Sequence, residues 1–174
     1  MKRLLSCFLI VMTLASPAYG QAAKPLESMS IEELQEQAPD LHPSALYVLA
    51  ARLLSQGRGQ AAANWMYAGQ LRYRFLLEVK GANGSDDGIL FSALSEQVGR
   101  PVNEYIAGDV DEWLAAMDWA LEWDAANCNG TTSKTDHAAE LAKTRSGLEK
   151  LRASIEERRD IIPQERLANG LENR

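Results

Sequence analysis

Apolar residues recur along this chain at helical spacing, and no stretch shows convincing strand alternation. Ser30-Ile31-Glu32-Glu33 is a capping-box pattern and predicts a short helix over 31–37, broken by the segment from Pro39 to Pro43. Pro43 stands in the first turn of the next helix, which carries Leu46, Leu49, Ala50, Leu53 and Leu54 on one side. Gly57 and Gly59 close that helix in a tight turn, and a second helix follows over 60–80. In it, Trp65, Met66, Ala68, Leu71, Phe75, Leu76 and Val79 are not confined to one stripe, which predicts a central, buried helix. After a turn at 81–85, a helix over 86–98 is expected to face Ile89, Leu90, Ala93 and Leu94 inward. Gly99-Arg100-Pro101 should interrupt it, because proline disfavours helical conformation in the residue before it. One short turn of helix is expected over 102–107. Asp109 then caps a helix over 110–126 that supplies Trp113, Ala116, Met117, Ala120, Leu121 and Trp123 to the core.

Beyond the polar turn at 127–133 the pattern changes. Leu141, Leu148, Ile155 and Ile162 repeat every seven residues, with Leu151 between them. This is one narrow apolar stripe on a long polar helix ending at Pro163. Gly147 in its middle costs ~1 kcal/mol relative to alanine, so the helix needs a surface to lie on. Docking against its own bundle is favoured over a paired coiled coil, since Thr144 and Arg158 stand where Leu would be expected. The chain is therefore read as a monomer or weak homodimer, with residues 164–174 frayed. The fold class is all-α: a compact helical bundle or short α-solenoid of antiparallel helix hairpins, with a long C-terminal amphipathic helix. The divisions are 1–20, 21–130, 131–163 and 164–174.

Residues 1–20 read as a signal peptide. Lys2 and Arg3 precede a short apolar run, and Ala18-Tyr19-Gly20 offers small residues before Gln21. No later run is long enough to span a bilayer, so no membrane anchor is expected in the exported chain, and the expected location is periplasmic or secreted. Gln21 to Ser28 would form a flexible leader. About 154 residues remain, enough for one domain with a core of its own. Loss of Lys2 and Arg3 deepens the net charge from −6 to −8. An acidic chain without a long basic run argues against nucleic acid and anionic lipid as partners. Cys128 is the one cysteine outside the leader, so no internal disulfide is available and packing must stabilise the domain.

Residues 45–71 resemble a tetratricopeptide repeat. Tyr47, Leu49 and Ala50 match its first helix, Gly57 the turn, Ala62 the small residue at the helix crossing, and Trp65-Met66 and Gly69 the second helix. A degenerate second unit around 108–127 matches at Gly108-Asp109 and at Ala120, Leu121, Glu122 and Asp124, with Trp113 where the crossing alanine belongs. The two turns lie 51 residues apart, against ~34 for a standard repeat. The resemblance implies a helical hairpin that holds a protein or peptide. WMYAGQLRYR and GRPVNEYIAGDVDEW are also similar to segments of uncharacterised exported bacterial proteins.

Motifs that carry chemistry are sparse. His42, His137 and Cys128 lack zinc-ligand spacing. Asn83 to Gly88 imitates the start of a calcium loop, but Leu94 stands where a bidentate Glu belongs, and helix capping explains Ser85, Asp86 and Asp87 better. No metal, cofactor or catalytic residue is assigned. Asn83-Gly84-Ser85 and Asn129-Gly130-Thr131 have the form of glycosylation sequons but read as turns.

Arg72 and Arg74, inside the most apolar helix, demand partners. They are expected either to pair with Glu104, Asp109 or Asp111, or to grip a partner's carboxylate with Trp65, Tyr67 and Tyr73 as flanking surface. Gln70, Tyr105 and Asp109 complete the candidate binding set. The reading that follows is an exported, non-catalytic interaction module for a protein or peptide. The alternatives are a periplasmic immunity or inhibitor protein acting on a toxin or hydrolase, and a hydrolase using the acids over 104–112 or Cys128.

Overall fold

A computed structural model describes residues 24–81 and 85–174, and among these every regular element is helical. The stretch read as a signal peptide, with its expected cleavage point, lies outside the described residues, as do Ala82, Asn83 and Gly84 of the second turn. Helix α1 (Ile31–Gln37) starts on the capping box read from sequence. The Ser30 hydroxyl accepts from the Glu33 N–H at 3.2 Å, and the Glu33 carboxylate accepts from the Ser30 N–H at 2.7 Å. Leu26 to Met29, just before it, are tied down, where the end of a flexible leader is expected. Leu26–Ser28 makes a 3-10 turn, and Arg52 donates to the carbonyls of Leu26, Glu27 and Met29.

Helices α2 (Ser44–Ser55) and α3 (Gly59–Lys80) form the hairpin at the centre of the molecule. Gly57, at φ +73°, makes the turn in a conformation that residues with a Cβ rarely adopt. At Gly69 the backbones approach closely: a Cβ there would lie 3.0 Å from Leu46 Cβ and 3.1 Å from the Tyr47 ring. Ala62, Met66, Ala68, Tyr73, Phe75 and Leu76 are buried around α3. The mixed apolar pattern of this helix thus reflects neighbours on several sides, namely α2, α5 (Arg100–Ile106), α6 (Val110–Ala126) and α7 (Ala138–Glu157).

The segment between α3 and α6 departs from expectation at two points. Helix α4 (Asp86–Leu94) does not end near Pro101 but passes through a widened π turn, Ser95–Gly99, directly into α5. The Arg100 N–H bonds to the Ser95 carbonyl five residues back, and Pro101 falls in the first turn of α5, where its missing donor is least costly. The buried face also differs. Ile89 is 65% exposed and Leu90 43%, and Ala93 is exposed too, whereas Phe91, Leu94 and Val98 pack on the core. Phe91 sets this orientation. Its ring meets Tyr73 at 5.0 Å and Tyr47 at 6.4 Å between centroids, and an aromatic side chain buries more area than Ile89 or Leu90 would.

Asp109 caps α6, accepting from the Glu112 N–H at 3.0 Å. Along α7 and beyond, the apolar stripe buries Leu148, Ile155 and Ile162 against the bundle, while Leu151 stays 42% exposed. The helix stops at Glu157 and not at Pro163, which instead opens a further helix, α8 (Ile162–Ala168). In place of a frayed tail, the chain then returns to the bundle, where the Arg174 N–H donates to the Gly108 carbonyl at 2.8 Å. No helix among the described residues is long and apolar enough to cross a membrane.

Tyr47, Tyr67 and Tyr73 share this core. Burial pushes Tyr47 and Tyr73 up to about 12 and raises Tyr67 as well. A raised phenol favours the neutral folded form, so this stabilisation is complete below the unfolded value near 10 and disappears as pH rises through the folded value. These three tyrosines should therefore ionise late, together with loss of helical circular dichroism. Tyrosinate absorbance from them well below that unfolding transition would contradict the packing.

Candidate functional site

Four of the candidate binding residues lie in the core rather than on a surface. Trp65 sits edge-on to Trp119 and Trp123, at 5.0 and 5.1 Å between ring centroids. The Tyr67 hydroxyl donates to Asn103 at 2.7 Å and accepts from the Trp113 indole N–H at 2.5 Å. Tyr73 is fully buried beside His42, Tyr47 and Phe91.

Arg72 is 1% exposed and wholly engaged. Its Nε donates to Asp124 at 3.1 Å, and its other nitrogens donate to the carbonyls of Ala38 (3.3 Å), Pro39 (2.9 Å) and Cys128 (2.5 Å). The guanidinium lies 4.3 Å from the centre of the Trp123 ring. Burial pulls Arg72 below its ordinary value, and Asp124 opposes that shift. The ionic partner is thus Asp124, not Glu104, Asp109 or Asp111. The reason is that α3 and α6 run alongside each other in parallel. Gln60 bonds the Glu112 carbonyl, Trp65 meets Trp119, and Arg72 reaches Asp124 near the far end of α6.

Asp124, itself 1% exposed, also receives Lys134 at 3.2 Å and Arg145 at 3.3 Å. Lys134 donates in addition to the carbonyls of Asp124 and Asn127. One carboxylate therefore joins α3, α6, α7 and the loop that follows α6, and through Arg72 it reaches the connection before α2. This cluster is internally satisfied, so Arg72 cannot grip an outside group.

Gln70 and Arg74 have a different fate. One helical turn apart on α3, they line a groove of 340 Å³ between α3 and α7, together with Leu71, Glu78, Lys143, Thr144, Gly147, Leu148 and Leu151. Glu78 and Lys143 pair with each other across it at 2.5 Å. Arg74 is exposed, stands 5.6 Å from the centre of the Phe91 ring, and makes no ion pair with a described residue. It is the groove's uncompensated charge. Gly147 faces the open space of the groove, where a Cβ would meet nothing within 4 Å.

From sequence, Gly147 reads only as a flaw in α7. The pairing of its helix face with Gln70, Arg74 and Glu78 depends on how α7 docks, which no local pattern encodes. The spacing of Thr144, Gly147, Leu148 and Leu151 on one face is the signal that was available.

Tyr105 and Asp109 lie together at the corner between α5 and α6. There Asp109 is occupied as the cap, and Tyr105 packs against the chain's own Arg174. Among the acids over 104–112, Asp111 pairs with Arg159 and Glu112 with Arg174. Cys128 is an exposed thiol whose Sγ lies 3.9 Å from an Asp40 carboxylate oxygen. Among the described residues no group of three or more His, Cys, Asp or Glu side chains is arranged to hold a metal ion.

Comparison of the chain with family models, with curated proteins and with solved structures found no match.

Proposed function

We propose that the chain is an exported, non-catalytic interaction module that receives a segment of a partner protein in the groove between α3 and α7. Arg74 carries this reading: an uncompensated cation beside Leu71, Leu148 and Leu151, in a groove whose open space Gly147 faces. Such a pairing of apolar wall and single guanidinium suits a segment that presents a carboxylate next to an apolar side chain. The resemblance of the α2–α3 hairpin to a tetratricopeptide unit points the same way, because such hairpins serve as scaffolds for holding peptides. The signal-peptide pattern supports action outside the cytoplasm.

The test is a pull-down from periplasmic extract with the exported form of the chain, alongside Arg74→Gln and Gly147→Leu variants shown to be folded by circular dichroism. A charge-assisted hydrogen bond contributes about 1.5–3 kcal/mol, so Arg74→Gln should weaken capture roughly tenfold or more. Gly147→Leu should block the groove sterically. A partner retained equally by both variants would place the binding surface elsewhere.

A further inference from the structure

A second, separate site lies at the corner between α5 and α6, where the protein holds a guanidinium in a built socket. The Arg174 side chain stacks over Tyr105, 3.8 Å from the ring centre. Its Nε donates to the Tyr105 carbonyl at 3.1 Å, one terminal nitrogen to the Tyr105 hydroxyl at 2.8 Å, and the other to Glu112 at 2.6 Å. Its backbone N–H donates to the Gly108 carbonyl. One residue thus presents an aromatic face, a carboxylate and two carbonyls with matching partners.

The scaffold shapes this socket. The Tyr105 ring lies against Gly59 at the start of α3, and a Cβ on Gly59 would overlap it. At Gly108 a Cβ would sit 3.1 Å from the Tyr105 carbonyl and 3.3 Å from the Arg174 side chain. Glu112 is fixed in the first turn of α6, behind the Asp109 cap. The arrangement prefers arginine to lysine, because only a planar fork can stack on the ring while donating in three directions.

The side chains of Arg174 and Glu112 keep 30% and 42% of their exposure, so their ion pair is a modest one. Beside Arg174 an open groove of about 550 Å³ runs between Pro101 and Glu104 on one side and Arg166, Gly170, Leu171 and Glu172 on the other, and Glu104 makes no ion pair with a described residue. A partner segment entering this groove could bring a second basic side chain to Glu104. The net charge of −6 favours approach of a basic partner.

We infer that this corner is a recognition site for an arginine-bearing segment of a partner protein, which Arg174 occupies in cis until that partner displaces it. The site is independent of the α3–α7 groove and uses none of its residues. The test uses the full chain carrying Arg174→Ala and the probe N-acetyl-arginine amide, with binding followed by NMR titration. The probe should bind this variant at least tenfold more tightly than the unaltered chain. N-acetyl-lysine amide should show no such gain, and adding Glu112→Gln should abolish it. Equal binding to both chains, or indifference to Glu112→Gln, would overturn the inference. A second measurement needs no substitution: in the unaltered chain, rising probe concentration should speed hydrogen exchange at the Arg174 amide, and unchanged exchange at saturating probe counts against displacement. A dimer that requires Arg174 in one copy and Glu112 in the other would overturn the partner in favour of exchange between copies.

Discussion

Replacing Asp124 with alanine is expected to lower the stability of the folded chain by about 3–5 kcal/mol. The substitution removes the carboxylate that Arg72, Lys134 and Arg145 share, but their losses differ. Lys134 and Arg145 keep 21% and 26% of their side-chain exposure and can turn to water. Arg72, at 1%, cannot, and it would remain a buried cation with only carbonyls and the Trp123 face around it. Arg72→Met should cost less, because it removes the buried charge and leaves Asp124 with two cations. Combining Arg72→Met with Asp124→Leu should recover part of the loss, as replacing both partners of a buried pair often does. Denaturant unfolding of the three variants measures this ordering. Equal costs for Asp124→Ala and Arg72→Met would show that packing, not the stranded charge, dominates the site.

No local pattern marks Asp124 as buried, and the reason separates what is legible in the sequence from what is not. The bounds of α1, α3 and α6 are close to those expected, because Ser30, the Gly57–Gly59 turn and Asp109 act within a few residues of themselves. The partner of Arg72 depends on the register of two helices separated by the 29 residues from 81 to 109. Glu104, Asp109 and Asp111 are acids of the same kind as Asp124, and only the parallel alignment of α3 with α6 selects among them. Pro101 and Pro163 mislead for a related reason. A proline marks where a donor is missing, yet a widened turn before it or a new helix begun on it absorbs the defect as well as a break does.

The candidate site divides along the same line. Composition marks α3 as the helix to watch, but not which of its polar residues escape the core. Gln70, Arg74 and Glu78 lie at intervals of four and so share one face, and the docking of α7 beside that face turns it into a groove. Arg72, two positions from Arg74, points at α6 and becomes structural. Two arginines that look equivalent in sequence thus serve the fold and the surface respectively. The contribution of Arg174 to the α5–α6 corner was hidden for another reason, since a terminal segment of low apolar content carries no periodic signal.

Trp65→Ala is expected to destabilise the fold by about 3–5 kcal/mol while leaving any surface binding of the residual folded protein intact. Trp65 is 6% exposed and forms the apex of a triad in which Trp119 and Trp123 stack on each other at 6.0 Å, only 10° from parallel. Removing the indole opens a cavity between α3 and α6, and it also unseats the Trp123 ring on which Arg72 rests. The loss should therefore couple to that of Asp124→Ala, so that the double variant loses less than the sum of the two single losses. Trp119→Ala, at the partly exposed edge of the triad, should cost less. A Trp65→Ala chain that kept its full unfolding midpoint but lost its partner would return Trp65 to the binding surface and contradict its place in the core.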